Sequence, residues 1–120
     1  MTEHDSELSA ANSRALRVRA LYERLELHLN GKVWTSHELM LGFANDVGQV
    51  GRLLLAHDGT WAVQGDPRAE LEHKLAESVW WCLVLADRLG IDLGEAYQNT
   101  MGRIEHDLER AVADLGGHRT

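Results

Sequence analysis

Residues 66–90 read Asp66-Pro67-Arg68-Ala69-Glu70-Leu71-Glu72-His73-Lys74-Leu75-Ala76-Glu77-Ser78-Val79-Trp80-Trp81-Cys82-Leu83-Val84-Leu85-Ala86-Asp87-Arg88-Leu89-Gly90, and this stretch decides the fold. Asp66 can cap a helix N-terminus, and Pro67 suits the first helical position, where no backbone N–H is needed. Leu71, Leu75, Ser78, Cys82, Leu85 and Leu89 then recur at intervals of three and four, and Gly90 supplies the stop. The second half, Val79 to Ala86, is apolar on every face. A helix of that kind must be covered on all sides, so other helices of a bundle are required, and a second subunit is expected to supply part of the cover.

Working outward, the segment before the loop His57–Asp66 repeats the pattern. Trp34 precedes Thr35-Ser36-His37-Glu38, a capping box in which the Thr35 hydroxyl and the Glu38 carboxylate satisfy each other's free amides. Leu39, Phe43, Val47, Val50 and Leu54 carry a helix to about His57. Gly42, Gly48 and Gly51 interrupt it at about 1 kcal/mol each relative to alanine, which points to close helix packing or a ligand near the backbone. Earlier still, Val18, Leu21, Leu25 and Leu29 define a helix from about Ser13 that stops at Asn30-Gly31. After Gly90, Asp92 and Glu95 suggest a second capping box. The helix it opens has the stripe Leu93, Tyr97, Thr100, Ile104, Leu108, Ala111 and Leu115, closed by Gly116-Gly117.

The expectation is therefore an all-α bundle of four helices in one domain, 13–115, between a polar N-terminus (1–12), expected to be disordered, and a short tail (116–120). With 120 residues, 44% of them hydrophobic, the chain is long enough for one core and too short for two. Four tryptophans point to a well-filled core. The single cysteine, Cys82, cannot form an internal disulfide, which suits a reducing cytoplasm. Val79–Ala86 is the longest apolar run and far shorter than the roughly 20 residues of a membrane span. A net charge of −7 argues against nucleic acid as a partner but leaves open a small phosphorylated ligand whose charge a divalent cation screens.

Two stretches carry a resemblance. His37-Glu38-Leu39-Met40-Leu41-Gly42-Phe43-Ala44-Asn45-Asp46-Val47-Gly48-Gln49 looks like the second helix of the MazG-like proteins, where an acidic ExxE pair surrounds a Val-Gly step. The run from His73 through Leu89-Gly90-Ile91-Asp92-Leu93 resembles that family's ExxD helix, its apolar continuation and its Leu-Ala-Asp-x-x-Gly-Ile-Asp-Leu turn. The resemblance implies a magnesium-dependent hydrolase, a nucleotide pyrophosphohydrolase that converts a nucleoside triphosphate to the monophosphate and pyrophosphate. Four carboxylates on two facing helices would hold the ion. That spacing suits a hard cation, because residues three apart share a helix face and Mg²⁺ takes oxygen ligands.

Carried over by position, the first pair falls on Asp46 and Gln49 and the second on Lys74 and Glu77. Asp46, Gln49 and Glu77 are the candidate metal ligands. Lys74 has three donors and no acceptor, so it cannot ligate magnesium. Two readings follow from this departure. Either the chain is a weakened pyrophosphohydrolase whose third oxygen comes from Gln49 or elsewhere, or it is a non-catalytic helical binding or interaction module in which the Lys74 ammonium replaces the metal. The direction of Lys74, into the acids or out to solvent, separates them. Arg52, His57 and Arg68 are candidates for a phosphate, and Glu70, His73 and Glu77 share a face that could chelate a transition metal. Each also reads as an ordinary solvated position. Cys82 has no basic neighbour at helical spacing and reads as core, as do Trp80 and Trp81 in preference to stacking a nucleobase.

Overall fold

The capping residues act where the sequence puts them. In a computed structural model describing residues 3–62 and 64–117, the chain forms α1 (Glu3–Asn30), α2 (Ser36–His57), α3 (Pro67–Arg88) and α4 (Leu93–Gly117), with no strand among the described residues. The protein is all-α, with the four helices of a bundle. Thr35 Oγ1 accepts the Glu38 amide at 3.2 Å, and the Glu38 carboxylate accepts the Thr35 amide at 2.9 Å, so the capping box of α2 is complete. Asp66 Oδ1 accepts the Arg68 amide at 3.0 Å with Pro67 in the first turn. At the head of α4 Asp92 accepts the Glu95 amide at 3.1 Å. Gly31 and Gly90 adopt φ of +75° and +69°, the left-handed conformation that lets the chain leave α1 and α3.

α1 begins at Glu3, ten residues before the first apolar periodicity, and so runs through most of the N-terminal stretch expected to be disordered. The reason is local: Ala10 and Ala11 are strong helix formers, and Leu8 lies where a Cβ on Gly94 would come within 3.4 Å of its Cδ2, which ties this turn to the start of α4. The last three residues of the expected tail lie outside the described residues.

α2 and α3 pack antiparallel, as the pairing of Trp34 with Arg88 at one end and Asp46 with Lys74 further along requires. Their seam holds the core: Leu39, Trp81 and Val84, with Trp34, Phe43, Trp80 and Leu85 packed against it. α1 lies on the other side of α3, where the Trp80 indole donates to Ala15 O at 3.1 Å and Tyr22 meets the Trp80 ring at 5.5 Å. Within α1, Arg19 and Glu26 form a buried two-pronged ion pair at 2.8 and 2.6 Å, and Glu26 also accepts the Trp34 amide at 2.9 Å, which fixes the turn into α2. Within the chain the apolar run of α3 is covered over part of its surface. Trp81, Leu83, Val84 and Ala86 are buried, while Val79 and Cys82 are exposed. Cys82 is therefore not a core residue. No helix of the described residues is long and apolar enough to cross a membrane.

Candidate functional site

Asp46 and Lys74 face each other across the α2–α3 seam because each stands on its helix's inner face, one turn or two from the core residues Leu39, Leu71 and Trp81. Asp46 is buried, which for a carboxylate is tolerable only if its oxygens are satisfied. Both are. Lys74 Nζ donates to Oδ1 at 3.2 Å, and the Trp81 indole N–H donates to Oδ2 at 2.8 Å. The lysine reaches a second acid one turn along its own helix, with Glu77 Oε1 at 3.1 Å, an ion-pair distance off the hydrogen-bond line. His73 Nε2 approaches the same oxygen at 3.0 Å from the solvent side.

The side chains are largely withdrawn from water, with Lys74 17% and Asp46 10% exposed. Burial pushes the Lys74 ammonium toward the neutral form, but the Glu77 and Asp46 carboxylates outweigh it and hold the pKa above the ordinary lysine value. Lys74 therefore points into the acids.

Trp81 can reach Asp46 only because α2 has no side chain at position 42. A Cβ on Gly42 would stand 2.6 Å from Trp81 Cη2 and 2.9 Å from Cζ2, inside any real contact. Phe43 stacks on the same indole with ring centres 6.5 Å apart. Of the three glycines expected to mark close packing, Gly42 does so, whereas a Cβ on Gly48 or Gly51 would meet nothing within 4 Å.

Among the described residues, Gln49 and the three phosphate candidates make no hydrogen bond or ion pair with Asp46, Lys74 or Glu77. Gln49 is half-buried one turn beyond Asp46, and its amide joins no hydrogen bond among the described residues. Arg52 lies 5.9 Å over the Trp61 ring, His57 Nδ1 is 3.8 Å from Asp58, and Arg68 Nε is 3.7 Å from Glu72, all three on exposed side chains. His73 meets Glu77, but Glu70 stays apart in solvent, and among the described residues no three His, Cys, Asp or Glu gather as a metal would require. A cleft lies elsewhere, between α1, the end of α3 and the start of α4, bordered by Asn12, Asp87, Asp92 and Gln98 and by none of the metal or phosphate candidates.

Magnesium demands about six oxygen ligands at ~2.1 Å in near-octahedral array. Here both oxygens of the one buried acid accept N–H donors, and an ammonium stands between the two carboxylates. The residues as arranged do not fit a magnesium ion. The partner that sequence reasoning missed is Trp81, read only as core. Its one signal was the glycine four residues before Asp46, which left room for an indole to approach. Comparison with family models, with curated proteins and with solved structures finds no match to this chain.

Proposed function

We propose that this chain is a MazG-like helical module in which the Lys74 ammonium takes the position of the metal, so that it binds and organises other molecules and does not hydrolyse nucleoside triphosphates through magnesium. One observation carries the reading: Lys74 Nζ lies 3.2 Å from Asp46 and 3.1 Å from Glu77 while the second Asp46 oxygen is held by Trp81. A cation is already there, built into the chain. It neutralises the acids as an ion would, but it cannot present an activated water or polarise a phosphate as a metal does. An exposed, unpaired Cys82 suits the reducing cytoplasm as its compartment.

The pyrophosphohydrolase reading requires Lys74 to swing out and Trp81 to release Oδ2 before an ion enters, which breaks a buried charge pair and a buried hydrogen bond together. The test is pyrophosphate release from nucleoside triphosphates across a magnesium titration. Wild type, Asp46→Ala and Glu77→Ala should all give the same background. Wild-type turnover that rises with magnesium and disappears in both alanine variants would establish the enzyme in place of the module.

A further inference from the structure

We draw no further inference here: the strongest candidate, the cleft between α1, the end of α3 and the start of α4, offers only the carboxylates Asp87, Asp92 and Glu95 beside a helix N-terminus, with no buried unpaired polar group among the described residues aimed into it and nothing in the structure to show what it holds.

Discussion

The α2–α3 half of the molecule and the α4 arm are made of helices of similar length, each with an apolar stripe, yet they bury different shares of it. α2 and α3 bury the part of theirs that meets at the seam, with Val47, Leu54, Leu75 and Leu89 left exposed, whereas α4 buries no residue of its stripe beyond Thr100 among the described residues. Across the α2–α3 seam Leu39 and Val84 are sealed from water and even the charged groups are matched, Lys74 to Asp46 and Asp46 to Trp81. Along α4, Leu108 and Leu115 stand open. The difference teaches that periodicity specifies a face to be buried but not the surface that buries it. The seam is closed by particular side chains that no period encodes: a missing Cβ at Gly42, an indole N–H aimed at a carboxylate, a lysine in place of an acid.

Substitutions that sharpen this contrast can be ranked. The largest effect is expected where a sealed group loses its volume or its charge partner. Leu39→Ala should cost about 2–5 kcal/mol, since its side chain is fully buried. Lys74→Met should cost about 3 kcal/mol, because it leaves the Asp46 carboxylate buried with only the indole donor. Ile104→Ala at concentrations where the protein is monomeric should change stability by less than about 0.5 kcal/mol. Urea unfolding of the three variants measures this, and equal losses at Leu39 and Ile104 would erase the distinction between seam and arm.

A second pair of variants isolates the missing Cβ. Gly42→Ala should destabilise by about 1–2 kcal/mol, because the methyl strikes the Trp81 ring at 2.6 Å and the helix-propensity gain offsets only part of the repacking. Gly48→Ala, one and a half turns further along the same helix, meets open space and should stabilise by up to about 1 kcal/mol. Thermal melts that moved in the same direction for both would show that Trp81 gives way easily.

The smallest expected effect is with pH. Burial pushes the Glu26 carboxyl up, but the bonds from Arg19 and the Trp34 amide outweigh it and hold its pKa below the ordinary value. A depressed folded pKa adds stability above the unfolded carboxylate range and loses it as pH falls through the folded value. Stability should therefore decline below about pH 4.5 and do so less steeply in Glu26→Gln. Glu38, held down to about 2 by the Thr35 amide first and by Lys32, is too exposed to add much. For Lys74 the sign reverses: its raised pKa contributes stability at every pH below the ordinary lysine value, lost only as pH rises through the higher folded one.

Much of this architecture was legible in advance, for reasons that lie in short-range chemistry. The capping box at Thr35, the Asp66-Pro67 start and the glycine stops at 31 and 90 act over three or four residues, so composition reveals them. The start of α1 was not legible, because residues 3–12 hold one leucine among alanines and polar groups and show no periodicity to detect. Of the site, the position of Asp46, Lys74 and Glu77 on facing surfaces followed from spacing and resemblance. What followed from neither was the direction of the lysine, the indole bond to Asp46, or the Arg19–Glu26 pair seven residues apart on α1. These depend on how helices cross, which a linear pattern does not contain.

Whether Lys74 stands in for a metal is measured most directly by comparing magnesium-dependent melting of wild type with that of the Lys74→Glu, Gln49→Glu variant. The double change removes the ammonium and supplies two oxygen ligands beside Asp46 and Glu77. Millimolar magnesium should leave the wild-type melting temperature unchanged and raise that of the variant by about 5 °C or more, the shift expected when an ion binds the folded state well below its working concentration. A wild type that gains as much from magnesium as the variant does, and loses the gain in Asp46→Ala, would contradict the account.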